Sequence, residues 1–350
     1  MDTINLHLIS FENISMTIMQ VAKKAGVSCM TISRVISGNG TVSPATRERI
    51  LRVMRETGYV PSIAARAMRS GDKLRANSQL CCALIFGADT QYARDFFYEI
   101  AYAAEQEAAA NGLCLLQSHW QDTFDESWLR MQSLFSIGGL CGAVLAGQFS
   151  REELSAIKKN NKNLVVIDGP VPPDLPVASL ESDNSGGCMM ALEHLLERGA
   201  RRILILTGPA KDHYFSQAMI QAAENIRHRC KEIKIIHSHL TSESGREIVK
   251  RIFAEGKRYD GIFANDDVAM GALRGLHESG LKIPDEVKVV GFDDTIHGRY
   301  TTPSLTTIQI NKSQLGRESV RTLVGMFRGQ DELLNIKKIV KAKLIVREST

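Results

Sequence analysis

Residues 17–68, TIMQVAKKAGVSCMTISRVISGNGTVSPATRERILRVMRETGYVPSIAARAM, constrain this chain more than any other stretch. Thr17 opens a first helix with Gln20 three residues on, the spacing at which the two side chains satisfy each other's orphan amides. Gly26 permits a tight turn, because it takes positive φ without a Cβ clash. Ser28 caps a second helix, from Cys29 to about Ile36. Small Ala22 lets these two helices approach, so the pattern spells a helix-turn-helix. Ser43 caps a third helix with Pro44 at its first position, where a missing N–H costs nothing. Ile50, Val53 and Met54 form the buried side of that helix, and Gly58 ends it. A helical unit of this kind also suits a subdomain of a larger enzyme. Charge argues otherwise: Thr17 to Arg75 hold eleven Lys or Arg against Glu48, Glu56 and Asp72, a local +8 in a chain of net +4. Basic charge gathered on one small module is the footprint of phosphate binding.

With 350 residues the chain has room for two or three domains. Seven cysteines are scattered without a CxxC or a Cys/His ligand spacing, which favours reduced thiols over disulfides or zinc. No apolar run approaches the roughly 18 residues of a membrane span. From Leu80 the pattern changes to apolar runs separated by amphipathic stretches. The runs are LCCALIFG (80–87), LCLLQ (113–117), GAVLA (142–146), LVVID (164–168), RILILTG (202–208), KIIHS (234–238), GIFA (261–264) and VKVVGF (287–292). Buried strands alternating with helices predict an α/β fold with parallel sheets. PVPPD (170–174) divides two similar sets of such units.

VAKKAGVSCMTISRVISGNGTVSPATRERI, followed by GYVPSIAARAM, resembles the DNA-binding head and hinge of the lactose/galactose repressor family, and LIVREST (344–350) resembles that family's usual ending. The resemblance implies a small all-α helix-turn-helix head and an α/β two-lobed, periplasmic-binding-protein-like core with parallel sheets and three crossovers. Residues 1–16 form an extension outside the resemblance, expected to be disordered, with Met16 a possible true start. The head spans 17–61, the hinge helix and linker 62–78, and the effector-binding and dimerisation core 79–350. Its first lobe is expected at about 79–169 and 311–335 and its second at about 174–308, with crossings near 169–176, 293–300 and 309–312.

The second helix would lie in a major groove with Cys29 and Met30 at its first turn and Arg34 one turn on. Arg34 suits a bidentate contact to guanine, and Cys29 and Met30 suit apolar contact with a thymine methyl. Thr17, Ser28, Thr31, Ser33 and Thr46 suit phosphate contacts or local capping, which position without specifying. By resemblance Ser62, Ala65 and Met68 belong to a hinge helix that enters the minor groove. Met68 stands where the family usually has leucine, as a wedge that kinks the duplex, or simply packs against its dimer mate.

Ligands of open parallel sheets sit beyond the carboxyl ends of strands, and in two facing lobes those ends border a cleft. The candidates there are Asp89, Phe96, Phe97, Trp120, Asp183, Phe215, Asn265 and Asp293. The family uses the positions of Phe96 and Phe97 for apolar contact and those of Asn265 and Asp293 for hydrogen bonds. One of the two phenylalanines also suits core packing, Asp266 and Asp267 suit a helix cap, and Asp294 suits a loop brace. Phe215 stands where the family usually carries an arginine, and no arginine occurs between Arg202 and Arg227. Leu240 replaces a frequent aromatic, so the pocket is expected to be more apolar than usual.

These readings predict a cytoplasmic, homodimeric, DNA-binding transcription regulator, a repressor whose affinity for a palindromic operator in double-stranded DNA is set by a small effector, a carbohydrate or related metabolite. The absence of a heptad tail favours a dimer over a tetramer. No cofactor or metal is implied, and no membrane. Neither a GxGxxG nor a GxxxxGK[ST] phosphate loop nor a GxSxG elbow occurs, so an enzyme is not expected. Two rivals share parts of the pattern: a regulator with a degenerate pocket, and a periplasmic-type sugar-binding protein, which would need an export signal and no basic head.

Overall fold

The computed structural model describes residues 18–37, 42–57, 80–88, 90, 94–120, 127, 131, 134–135, 139–161, 163–208 and 214–350. The expected N-terminal extension, Thr17, the hinge with Ser62, Ala65 and Met68, and Asp89 lie outside them. The chain divides into two compact units, Met1–Asn77 and Ser78–Thr350.

The first unit holds α1 (Ile18–Ala25), α2 (Cys29–Ser37) and α3 (Pro44–Thr57). Its core is Val21, Ala22, Ala25, Ile32, Val35, Ile50 and Val53, with Ile18, Val27, Val42 and Met54 packed around them. Gly26 takes φ +62° in the turn between α1 and α2, as the tight turn requires. Ser28 Oγ accepts the Thr31 amide at 3.1 Å, and Ser43 Oγ accepts the Thr46 amide at 3.3 Å, so both expected caps form.

The second unit is built from two sheets of the same plan. In chain order come β1 (Leu80–Phe86), α4 (Arg94–Ala110), β2 (Leu113–His119), β3 (Leu140–Ala146), α5 (Arg151–Asn160), β4 (Leu164–Ile167) and β5 (Ala178–Ser182). Then follow α6 (Asn184–Glu197), β6 (Arg202–Thr207), α7 (Tyr214–Ile226), β7 (Glu232–His237), α8 (Ser242–Ala254), β8 (Gly261–Ala264), α9 (Asp266–Glu278), β9 (Lys288–Asp293) and β10 (Thr306–Gln309). The chain closes with α10 (Lys312–Phe327), β11 (Lys337–Val340) and β12 (Lys343–Ile345). The first sheet runs β11-β5-β4-β3-β1-β2 and the second β12-β10-β9-β8-β6-β7. All neighbours are parallel except β12, which pairs antiparallel with β10. The second order therefore repeats the first, with β6 to β10 in the places of β1 to β5. β1, β4 and β8 are buried along their whole length, as strands covered by helices on both faces must be, whereas the edge strands β2 and β7 are partly exposed.

The lobe boundaries differ from the expected ones. The Pro-rich stretch after β4 does not leave the first lobe: it loops back so that Val165 to Ile167 pair with Ala178 to Leu180 of β5. The chain crosses only after β5, and α6 packs on the second sheet, where Gly187 lies against Phe292 and Ile308. No crossing occurs at 293–300, because β10 adds to β9 in the same sheet. The second crossing follows β10. The third falls between β11, which pairs with β5 in the first lobe, and β12, which pairs with β10 in the second. The first lobe thus includes 178–182 and 337–340.

Helix pairs outside the sheets depend on close backbone approach. A Cβ on Gly271 of α9 would stand 1.8 Å from the Ser242 carbonyl oxygen of α8, and one on Gly245 would stand 2.2 Å from that of Val268. Gly271→Ala is therefore expected to lower stability by about 1–3 kcal/mol through overpacking. Gly298→Ala meets only ordinary contact with Leu305 at 3.4 Å and should change stability by no more than about 0.5 kcal/mol. Urea unfolding of the two variants checks this; equal effects would remove the steric account.

Candidate functional site

On the helical unit, α2 divides its candidate residues between core and surface. Met30 is 65% exposed, and the Arg34 guanidinium reaches it one turn on, Nη2 lying 3.7 Å from Sδ. Ser33 is exposed beside them. Cys29, expected to face base edges, is half-buried and packs against the helical core, because it falls on the inner side of α2. Thr31 and Thr46 are half-buried, and their hydroxyls hydrogen-bond those of Ser28 and Ser43 at 2.9 and 2.8 Å. Lys23, Lys24, Arg47, Arg49 and Arg52 lie exposed on α1 and α3.

In the two-lobed unit, a cleft with about 580 Å3 of empty space, its open mouth included, lies at the carboxyl ends of both sheets. Phe96, Phe97, Gln148, Asp168, Asn184, Tyr214, Phe215, Leu240, Asn265 and Asp293 line it. Five of the expected residues, Phe96, Phe97, Phe215, Asn265 and Asp293, thus come together. The two halves match position for position. Phe96 and Phe97 open α4 after β1, and Tyr214 and Phe215 open α7 after β6. Gln148 follows β3, and Asn265 follows β8. Asp168 follows β4, and Asp293 ends β9. Phe96 and Phe97 meet edge to face at 5.1 Å, and Phe215 rests on Phe292 at 4.6 Å. The pocket is aromatic, yet it is not simply more apolar than usual, since two carboxylates enter it.

Other candidates take structural roles. Asp183 caps α6, accepting the Gly186 amide at 3.1 Å and pairing with Lys341, and its neighbour Asn184 lines the cleft instead. Trp120 is buried against Phe149 and donates its indole N–H to Glu153 at 2.6 Å. The cap of α9 is Asn265, whose Oδ1 accepts the Val268 amide at 3.2 Å, rather than Asp266 or Asp267. Asp266 is wholly buried and accepts from Thr307 Oγ1 at 2.6 Å and from Thr295 at its amide and hydroxyl. Burial still pushes its carboxyl up to about 6. Asp294 braces its loop, accepting from Arg347, Gln309 and Arg299. Burial pushes its carboxyl up, but those three donors outweigh burial and hold it below the usual range.

Asp168, Asp293 and Asp294 all have positive φ, at 47°, 112° and 49°, a strained conformation for residues with a Cβ that collects at binding sites. The Asp168 carboxylate accepts the amide and hydroxyl of Ser182, yet burial raises it to about 6. Burial, and then the nearby Asp266 charge, push Asp293 well above the carboxylate range. Among the described residues, contacts that join the lobes around the cleft include these. The Tyr214 hydroxyl of α7 donates to Glu181 of β5 at 2.6 Å, the Lys312 ammonium of α10 donates to the Asp293 carbonyl, and His297 meets Asp95 at 3.2 Å. Gln148, Asp168, Asn184 and Tyr214 escaped the sequence reading. The repeat of strand and turn, with Asp168 after LVVI as Asp293 ends KVVGFD, is the signal that points to the aspartate.

Among the described residues no helix is long and apolar enough to cross a membrane, and no group of three or more His, Cys, Asp or Glu is placed to hold a metal. Residues 17–62 match the family model described as bacterial regulatory proteins, lacI family, and residues 192–350 match a periplasmic binding protein-like domain. The chain is 29% identical over 340 residues to the HTH-type transcriptional regulator AscG of Escherichia coli K12, covering 95% of this chain and 98% of the relative. It is 28% identical to the ribose operon repressor of Halalkalibacterium halodurans, covering 95% and 97%. Among solved structures, the Lac repressor bound to ONPG in the repressed state superposes with a TM-score of 0.76 at 24% identity, covering 96% of this chain and 99% of that one. The CelR–cellobiose complex superposes at 0.68 with 26% identity, covering 96% and 100%.

The Asp168 carboxyl holds its proton more tightly folded than unfolded, since burial lifts it from 3.8 to about 6. Its share of stability is full below its unfolded pKa and is lost as pH rises through about 6. Asp168→Asn removes that loss, so the variant should gain about 1–3 kcal/mol on the native chain between about pH 4 and pH 7. Urea unfolding at both pH values checks it; a difference independent of pH would place the effect elsewhere.

Proposed function

Because the chain belongs to the lacI family of bacterial regulatory proteins, it is a DNA-binding transcription regulator, and we propose that it acts as a homodimeric repressor on a palindromic operator under the control of a small metabolite bound in the interlobe cleft. One observation carries the reading. A basic helix-turn-helix unit, with Met30 and Arg34 exposed together on α2, shares a chain with a two-lobed unit whose strand ends enclose a lined cleft. The basic head separates this chain from a periplasmic-type sugar receptor, which has no duplex to bind.

In this reading Met30, Ser33 and Arg34 face the major groove, with Arg34 on a guanine edge. Ser28, Thr31 and Thr46 sit at the starts of α2 and α3, where the helix dipole favours phosphate. Cys29 serves the head's packing. Thr17 joins the phosphate contacts, while Ser62, Ala65 and Met68 of the hinge enter the minor groove. The cytoplasm is the compartment in which such a protein meets DNA. In the cleft, Phe96, Phe97 and Phe215 supply apolar faces, and Asn265 and Asp293 polar ones. Asp183 acts through the cap of α6 rather than on the ligand. The cellobiose complex of CelR makes a carbohydrate or a molecule of similar size the reference class. A ligand that favours one lobe arrangement shifts the contacts Tyr214–Glu181, Lys312–Asp293 and His297–Asp95, and through them the spacing of the paired heads. A preference of about 1–3 kcal/mol between the two states is enough for regulation.

Arg34→Ala is expected to cost about 1–3 kcal/mol on the operator and relax one base position. Gel shifts over a set of single-base operator variants check this, and equal loss on every sequence would reduce Arg34 to a phosphate contact. Asp293→Ala is expected to abolish the ligand's effect on operator affinity in the same assay. A surviving response would move the effector out of the cleft.

A further inference from the structure

The geometry points to an effector that carries a positive charge, an organic ammonium or guanidinium group held between Asp168 and Asp293 against the rings of Phe96, Phe97, Tyr214 and Phe215. The inference rests on the regulatory cleft above and names the class of ligand it takes. Asp168 and Asp293 enter the cleft from opposite lobes at matching strand ends, and among the described residues no Lys, Arg or His lines it. An anionic ligand therefore meets no counter-charge from those described lining residues.

The surroundings deepen the imbalance. Asp266 and Asp267 of α9 and Asp168 face Asp293, and Glu181 of β5 faces Asp168. Lys312 of α10 offsets Asp266 and Asp293, and its ammonium donates to the main-chain carbonyls of Asp293 and Asp294 and stands 3.5 Å from the Glu99 carboxylate, not on the carboxylate of Asp293. The same ammonium stands 5.9 Å from the Phe96 ring centre, so one cation already uses an aromatic face at the cleft wall. The acids also differ in how they are satisfied. Asp294 has three side-chain donors, Asp266 has Thr295 and Thr307, and Asp168 has Ser182. Among the described residues no donor reaches the Asp293 carboxylate, although burial and neighbouring acids disfavour its charge. A ligand cation supplies the missing partner, drives Asp293 to ionise and releases its proton. A neutral polyol does neither.

The test is isothermal titration of the full chain with matched pairs: putrescine and 1,4-butanediol, benzylamine and benzyl alcohol, glucosamine and glucose. At least one amine is expected to bind at least about tenfold tighter than its neutral partner. Its binding heat should vary with the buffer's ionisation enthalpy, as proton release requires, and its affinity should rise from about pH 5 to about pH 8. Asp293→Asn keeps the shape and removes the charge, and should reduce the preference to less than about twofold. Asp168→Asn, with circular dichroism as the folding control on both variants, gives an independent reading. A neutral member that binds as tightly as its amine, or a panel in which no amine binds at about millimolar concentration, overturns the inference. Gel shift on the same preparation keeps the two readings apart. An operator that responds to glucose but not to glucosamine leaves the regulator standing and removes the charged effector. Failure to bind any duplex at low salt removes the regulator, whatever the cleft takes.

Discussion

A strand buried on both faces can carry polar side chains only where they find partners, most readily at its ends, because an unpaired polar group in a dry interior costs more than one hydrogen bond returns. β1, β4 and β8 obey this along their full length. The polar groups of each lobe therefore gather where strands stop: Gln148 after β3, Asp168 after β4, Asn265 after β8 and Asp293 at the end of β9. Since the second sheet repeats the strand order of the first, two such ends meet, and the cleft has matched polar walls. The aromatic rings enter by the same rule, at the starts of α4 and α7, where each chain leaves its first strand.

Around that cleft, hydrogen-bond supply sorts chemically identical carboxylates into different roles. Asp294 is almost wholly buried and bridges Arg347, Arg299 and Gln309, tying the C-terminal segment to the β9 loop. Losing one partner from a buried pair of this kind costs about 3–5 kcal/mol, so its role is structural. Asp266 joins α9 to the residues around β9 and β10 through Thr295 and Thr307. Asp293 lies between them with its carbonyl held by Lys312 and its carboxylate turned to the cleft. Position in the chain does not distinguish these three acids; the donors around them do.

The helical head follows separate logic. Its core of small and β-branched residues fixes α1, α2 and α3, and the caps Ser28 and Ser43 set where α2 and α3 begin. Once α2 starts at Cys29, its periodicity turns Ile32 and Val35 inward and leaves Met30, Ser33 and Arg34 outside. The surface proposed to read DNA is thus a by-product of the pattern that builds the core, and Cys29 falls on the inner side of that division.

Local signals in the sequence determined the head helices and their caps, the eight apolar strands, and the resemblance that joins head to core. These features depend on neighbours a few residues apart: a serine before a helix, a glycine in a turn, an apolar run. The short strands ASLES, TTIQ, KKIV and KLI were not legible, because they mix polar and apolar residues and owe their form to the strands beside them. The Pro-rich break after β4 looked like a lobe boundary, yet pairing of β5 with β4 keeps the chain in the first lobe. Only tertiary structure decided that Asp168 faces the cleft with Asp293, that Asn265 rather than Asp266 caps α9, and that Tyr214 spans the lobes to Glu181. Each of those outcomes is set by which strand ends and donors the fold brings together across long stretches of chain, and that arrangement exists only once the sheets have formed.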